Sequence, residues 1–239
     1  MIQVRSDEVV SDGVDGLTSP GPPRGWTRRR TAYEIIEYVM TRVYAGTLRE
    51  GDRIDIDSIA SDLGVSRSPV REAVQELQRD GFVVDPFHRS AYLAPFNAEL
   101  LEDTFDLYGL LWSRATAVVA RKVEDLPEVA EMRQLVETLN SVKLPEDIDA
   151  TTYQYRRRIA HHGGTQRLRA LLRSFGTFVP ASYRRSVPEL SRSQVKGISE
   201  EFKAIARGDA EEASARTHAL YLRQASIVVA DLRAKGIID

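Results

Sequence analysis

The sequence predicts a mainly α-helical protein in which three short helices and a β-hairpin precede an all-helical bundle of about six helices. Apolar residues recur at three- and four-residue steps through most of the chain, and short strand-like runs occur only around residues 82–94. With 239 residues, the chain is long enough for two modest domains. We expect one domain at 31–95 and a second at 97–239, preceded by an N-terminal arm at 1–30.

Composition excludes several classes of protein. Hydrophobic residues make up 42% of the chain, and 33 basic side chains face 35 acidic ones for a net charge of -2. Cysteine is absent, which excludes disulfides, cysteine nucleophiles and cysteine-ligated zinc. No apolar stretch approaches the ~18 residues of a membrane span, and acidic residues interrupt the start of the chain where a secretory signal would be apolar. We therefore expect a cytoplasmic protein.

The arm at 1–30 is predicted to be disordered, because it is rich in Gly, Pro, Ser and charge and lacks an apolar period. It ends in three arginines, Arg28–Arg30. These side chains could contact phosphate groups, although a basic cluster ahead of a helix is more often simply solvated.

Two helices separated by a loop are predicted next. The first begins at Thr31 and ends at Gly46. A loop with a brief strand at 48–56 follows, and the second helix runs from about Ser58 to Gly64, a residue that can close a helix in the left-handed conformation. The first helix would bury its periodic apolar residues: Ile35, Ile36, Val39 and Val43.

A third helix is predicted from Ser66 to about Asp80. Ser66 is a typical N-cap, and Pro69 lies in the first turn, where its missing N–H costs nothing. Gly81 ends the helix. One face would be buried and the other would present polar side chains. The predicted buried residues are Val70, Ala73, Val74 and Leu77.

The remaining chain is predicted as a hairpin and then helices. Two strand-like runs, 82–84 and 91–94, flank a polar tip and indicate a β-hairpin. Beyond Pro95 no further strand is predicted, and about six helices are separated by breaks. These breaks lie near Pro127, 144–149, Gly163-Gly164, Val187-Pro188 and Gly208.

A specific motif spans the second and third helices: Ile59-Ala60-x-x-Leu63-Gly64-Val65-Ser66-Arg67-Ser68-Pro69-Val70-Arg71-Glu72-Ala73-x-x-x-Leu77-x-x-x-Gly81. It resembles the helix-turn-helix of GntR-type bacterial regulators, and the resemblance covers residues 31–95 once the first helix and the hairpin, or wing, are included. The resemblance implies a winged helix-turn-helix that binds double-stranded operator DNA through Arg67, Ser68 and Arg71.

The physical chemistry of the third helix favours the same function. A helix that enters the major groove by its N-terminal end needs short polar residues and arginines in its first turns. Arg67 and Arg71 are four residues apart and share a face, and each could bond a guanine edge or a phosphate. Free N–H groups next to Ser66 add a phosphate site. The alternative is that Arg71 only pairs with a nearby acid, Glu72 or Glu76.

Two residues depart from the pattern of these regulators. Asp57 stands where relatives often carry Arg or another polar residue that contacts DNA. Ser90 stands at the wing tip where Gly is usual, next to His88 and Arg89, which we expect to contact the minor groove or its phosphates. From residue 27 to 95, ten arginines face eleven acids. DNA affinity must therefore depend on one basic face rather than on the charge of the whole domain.

Residues 97–234 resemble the six-helix effector domain called FCD, found in the FadR-like branch of these regulators. Many members bind a divalent metal through one Asp and three His. Here those positions hold Thr152, Arg156, Ile198 and Leu220, none of which is an ordinary metal ligand. His218 lies two residues away from an expected position and turns to the other side of its helix. We therefore expect neither a metal nor another cofactor, and we interpret His161-His162 as a surface or cap pair.

Arg156 is the residue at which we expect a small-molecule effector to bind. Its fixed positive charge could replace the metal and hold a carboxylate or phosphate. Plausible neighbours are Tyr108, Arg114, Thr152, Tyr153 and Tyr155. The alternative is that Arg156–Arg158 form a solvated basic face.

These observations predict a homodimeric regulator, a repressor whose affinity for a short near-palindromic operator is controlled by an organic acid. An enzyme is the second class, but no GxxxxGK, HExxH or GxSxG motif is present. The third class is a constitutive DNA-binding dimer whose helical domain has lost its ligand.

Overall fold

The computed structural model of the chain describes residues 27–85 and 90–239, with only the backbone for residues 27–31. The described part is mainly α-helical, and the predicted fold class is confirmed. The helices are α1 Thr27–Tyr44, α2 Ile56–Leu63, α3 Arg67–Arg79, α4 Ala98–Arg121, α5 Val129–Ser141, α6 Pro145–Gly163, α7 Gln166–Phe175, α8 Ala181–Ser186, α9 Pro188–Ala206 and α10 Ala210–Ala234, and the strands are β1 Val83–Val84 and β2 Tyr92–Leu93.

Helices α1, α2 and α3 form a small N-terminal core. The predicted apolar faces of α1 and α3 are buried against each other. Helix α2 begins two residues before its predicted start, because the Asp55 carboxylate accepts hydrogen bonds from the N–H groups of Asp57 (3.0 Å) and Ser58 (3.2 Å). Gly64 closes α2 with φ of 63°, the left-handed conformation expected of it. Val65, partly buried, then packs on the core.

The predicted arm ends earlier than the sequence pattern indicated. Helix α1 begins at Thr27, so residues 27–30 are helical and the prediction of disorder through residue 30 is wrong for these four. The reason is that arginine is a good helix former, which an apolar period does not detect. Residues 1–26 lie outside the described residues.

The wing is a two-stranded antiparallel sheet. Val83 lies opposite Leu93 and Val84 opposite Tyr92, so each strand is shorter than its predicted run. The predicted strand before α2 is reduced to one bridge between Arg53 and Tyr92. The tip, including His88 and Arg89, lies outside the described residues. After the tip, the Ser90 N–H donates to the Asp85 carboxylate at 3.4 Å.

Within residues 97–239, seven α-helices form the C-terminal bundle where about six were predicted. The additional break lies at 176–180, between α7 and α8. Helices α4 and α10 pack along each other, with α6 and α9 beside them. Gly163 permits a close approach of α6 to α4, since a Cβ there would lie 2.0 Å from the Ala115 carbonyl oxygen. No helix in the described ranges has the length and apolarity to span a membrane.

Candidate DNA interface and bundle cavity

The first turn of α3 projects polar side chains into solvent. Arg67, Ser68 and Arg71 are exposed, whereas Val70 and Ala73 are fully buried beneath them. The helix is therefore anchored by its apolar face while its N-terminal end stays accessible. This is the arrangement that a recognition helix needs in order to enter a major groove.

Ser66 occupies the N-cap position with extended backbone angles, but its side chain makes no capping hydrogen bond. Ser66 is therefore the N-cap residue, as predicted, but its hydroxyl does not form the hydrogen bond that is typical of a cap. A capping oxygen accepts from the second or third residue of the helix, and here the third residue is Pro69, which has no N–H.

The two arginines of α3 differ in their surroundings. Arg67 Nε lies 2.6 Å from the Asp57 carboxylate, with both side chains more than half exposed. Over residues 27–85 and 90–239, Arg71 has neither an ion pair nor a side-chain hydrogen bond, so the alternative in which it pairs with Glu72 or Glu76 is not observed. Glu76 instead lies 3.7 Å from Arg79.

A cavity of about 70 Å³ lies inside the C-terminal bundle. Its apolar wall includes Phe105, Tyr108 and Phe178, whose rings meet edge to face. Burial raises the pKa of Tyr108 to about 12, so this wall stays uncharged at neutral pH. The space is larger than the ~10–15 Å³ that one water needs by the same measure, and it suits several waters or a small organic molecule.

The polar groups of the cavity come from four segments. Thr152 on α6 has a buried hydroxyl with no partner among the described residues. Gln224 of α10 donates to Gln194 of α9 across the wall. Arg184 of α8 is the lining cation, and it lies 3.6 Å from Asp149. Asp149 is closer to Arg185, at 2.9 Å, so its charge is mainly compensated there.

Beside this cavity, a buried polar network joins α6, α9 and α10. Arg156 Nη1 donates to both carboxylate oxygens of Glu201 at 2.9 Å, and both side chains are fully buried. The Tyr155 hydroxyl (2.9 Å) and the Thr217 hydroxyl (2.7 Å) also donate to Glu201. Burial, followed by the negative charge of Glu201, raises the pKa of Tyr155 well above its ordinary value. The network is therefore a compensated, neutral unit.

Comparison with known proteins identifies the N-terminal domain. Residues 31–87 match the model of the gntR family of bacterial regulatory proteins. These residues therefore form a DNA-binding domain of the gntR type. An HTH-type transcriptional regulator of Mycobacterium tuberculosis is 28% identical over 183 residues, 76% of this chain and 74% of the relative. The gluconate operon transcriptional repressor of Bacillus subtilis is 29% identical over 134 residues, 52% of this chain and 49% of that protein.

Solved structures share the fold of this chain. Escherichia coli McbR/YncC superposes with a TM-score of 0.60 at 17% identity, covering 84% of this chain and 98% of that one. A GntR regulator from Rhodococcus gives 0.51 at 19% identity, covering 83% and 97%. These structures show the fold. The family match and the named relatives indicate a transcriptional regulator with a GntR-type DNA-binding domain.

The four positions that the FCD resemblance matched with metal ligands do not suit a cation. Thr152, Arg156, Ile198 and Leu220 are all buried, and Arg156 places a positive charge among them. The described residues contain no group of three or more His, Cys, Asp or Glu arranged to hold a metal. His218 lies instead 2.5 Å from Asp106, and His162 lies 3.9 Å from Glu128, next to the exposed His161.

The predicted effector residues of this chain lie in separate places. Tyr108 and Thr152 line the cavity. Arg156 and Tyr155 belong to the neighbouring network, so neither a free positive charge at Arg156 nor its alternative, a solvated face, matches the structure. Tyr153 is half-buried and Arg114 is exposed, and neither lines the cavity. Sequence reasoning missed Arg184 and Glu201, because α8 was not predicted and Glu201 lies 45 residues from Arg156.

Proposed function

We propose that the chain is a homodimeric repressor that reads a near-palindromic operator through Ser66, Arg67, Ser68 and Arg71 of each protomer. The exposed first turn of α3, anchored by its buried face, carries this proposal. His88 and Arg89 of the wing tip would add contacts to the minor groove or its phosphates. Repression is supported by the B. subtilis relative, which is named a transcriptional repressor. Two recognition helices on a two-fold axis account for operator symmetry.

We further propose that residues 97–239 form an FCD-type effector domain and that a small organic acid binds in its cavity. Arg184 supplies the positive charge, because Asp149 is held more closely by Arg185. The unpartnered Thr152 hydroxyl supplies a hydrogen bond, and the aromatic wall takes the apolar part of the ligand. This assignment moves the proposed anionic contact from Arg156 to Arg184.

Helix α8 offers a direct connection between this cavity and the DNA-binding domain. The Glu37 carboxylate of α1 accepts the Ala181 N–H at 2.6 Å, and the hydroxyls of Thr41 and Ser182 lie 2.9 Å apart. The rings of Tyr44 and Tyr183 meet at 4.6 Å. A ligand bound at Arg184 would thus act on a short helix that touches α1, which packs on α3. A ligand that binds one arrangement of α8 more tightly than another would then control DNA binding.

The operator is found first by selecting bound fragments from random DNA. The dimer is then tested by two observations: the selected operator should be nearly palindromic, and light scattering should give the mass of two protomers. Small mono- and dicarboxylic acids are then titrated against the protein–DNA complex. We expect one of them to release DNA from the wild type, and Arg184→Gln and Thr152→Val to weaken that response. Arg192→Gln, which changes an exposed arginine of α9 outside the cavity, is the control.

The second function is constitutive DNA binding with a helical domain that takes no ligand. It is favoured by the Arg156–Glu201 pair, in which the charge is already compensated. The titration separates the two proposals, because no acid would change DNA affinity if the second were correct.

A further inference from the structure

Asp57 lies next to Arg67, which we propose reads DNA, and the proposed function gives this acid no role. It is the second residue of α2, and its N–H is bound by the N-cap Asp55 at 3.0 Å. Its carboxylate extends across the turn between α2 and α3 to Arg67, with 2.6 Å from Oδ1 to Nε. The pair therefore connects the two helices of the motif at the surface that would face DNA.

We propose that Asp57 is a positioning residue that determines specificity by orienting the Arg67 guanidinium toward one base pair. The proposal rests on the proposed role of Arg67 in reading DNA. A guanidinium has two edges that can form paired hydrogen bonds. The Asp57 carboxylate lies at the Nε side, which leaves the edge formed by Nη1 and Nη2 for the O6 and N7 atoms of a guanine.

The ion pair reduces the freedom that Arg67 would otherwise lose on binding. Both side chains are more than 60% exposed, so the pair adds little to folding stability. Arginine loses much rotamer freedom when it is fixed in a complex, and a contact that exists beforehand lowers this loss for the correct base. The effect would therefore appear in base discrimination rather than in protein stability.

The negative charge of the Asp57 carboxylate also affects DNA affinity, and this effect distinguishes a positioning role from a merely structural one. A negative charge at a DNA-facing surface opposes the binding of phosphates, whatever the sequence. Asp57 therefore lowers affinity for all DNA while raising the preference for the correct base. Loss of a merely structural contact would lower the affinity for every sequence.

The experiment uses the full chain and a DNA fragment selected from a random pool. Dissociation constants are measured for that fragment, for versions with each base pair replaced and for random DNA. The variants are Asp57→Ala, Asp57→Asn, Arg67→Ala and the double variant Asp57→Ala/Arg67→Ala. Glu50→Gln is the control, because Glu50 is an exposed acid of the α1–α2 loop that is not a partner of Arg67.

Arg67→Ala identifies the base pair that Arg67 reads as the one whose replacement no longer weakens binding. We call the loss of affinity caused by replacing a base pair its penalty. At the base pair that Arg67 reads, Asp57→Ala is expected to lower this penalty by about fivefold or more. The same variant should bind random DNA more tightly than the wild type. Asp57→Asn removes the charge but keeps an oxygen acceptor, so it should tighten random binding and retain more of the penalty. Asp57→Ala should add nothing in the Arg67→Ala background, and Glu50→Gln should change no penalty.

Suppose that Arg67→Ala no longer distinguishes a base pair but the penalty at that base pair is unchanged in Asp57→Ala. That result would overturn the positioning role of Asp57 and leave the proposed function intact. If Arg67→Ala retains every base-pair penalty of the wild type, the base contact of Arg67 is wrong, and the inference about Asp57 is overturned with it.

Discussion

The guanidinium of Arg156 lies 2.9 Å from both carboxylate oxygens of Glu201, with both side chains fully buried between α6 and α9. The guanidinium also lies over the Trp112 ring, 5.1 Å from its centroid. A charged pair in this position is compensated electrostatically but depends on the presence of both members.

Replacing one member of this pair should destabilise the protein strongly. Glu201→Gln leaves a buried positive charge without its counter-ion, and we expect the free energy of unfolding to fall by about 3–5 kcal/mol. The double variant Arg156→Met/Glu201→Leu should recover most of that loss. Urea unfolding measures both. Glu189→Gln, which breaks an exposed ion pair with Arg192, should cost at most about 1 kcal/mol. A single variant as stable as this control would contradict the interpretation.

Chelation should leave the bundle unchanged. The four positions that the FCD resemblance matched with metal ligands offer no imidazole or carboxylate, and the arginine among them repels a cation. These positions are Thr152, Arg156, Ile198 and Leu220. We expect the same thermal midpoint in EDTA and in added zinc, nickel or manganese salts, measured by differential scanning calorimetry. A midpoint that rises with metal concentration would reveal a specific site and refute this prediction.

The contact between Glu37 and α8 should control the local stability of that helix. Glu37→Ala removes the acceptor for the N–H groups of Ala181 (2.6 Å) and Ser182 (3.3 Å). We expect faster hydrogen exchange across residues 181–186. The free energy of unfolding should fall by about 1 kcal/mol, which is typical of a missing cap. Glu50→Ala serves as the control. Unchanged exchange in α8 would show that Glu37 does not hold it.

Gly163 should tolerate no side chain. A Cβ at this position would lie 2.0 Å from the Ala115 carbonyl oxygen, and backbone atoms cannot rotate away as a flexible side chain can. We therefore expect Gly163→Ala to separate α6 from α4 and to lower the free energy of unfolding by about 1–3 kcal/mol. Urea unfolding tests this, and a variant as stable as the wild type would show that the two helices are not in such close contact.

Local signals in the sequence predicted the N-terminal domain well. The turn at Gly64 and the buried face of α3 follow from residues a few positions apart, and the structure confirms both. The charge of Arg28–Arg30 concealed the start of α1, since helix formation there does not depend on an apolar face.

Long-range pairing explains what the sequence could not predict in the bundle. Glu201 meets Arg156 over 45 residues, and no local period connects them. Helix α8 has only six residues, too few for a helical period to be recognised, although it carries Arg184 and contacts α1. The residues that line the cavity can therefore be identified only from the packing of the helices.

The most direct test of the account is the affinity of Arg67→Ala/Arg71→Ala for the selected operator, measured by fluorescence anisotropy at several salt concentrations. Both side chains are exposed, so the variant should unfold at the wild-type temperature. We predict a loss of about 100-fold or more in affinity and a smaller salt dependence, since each arginine contributes to base or phosphate binding. A folded variant that binds the same sequence with wild-type affinity would contradict the role assigned to α3.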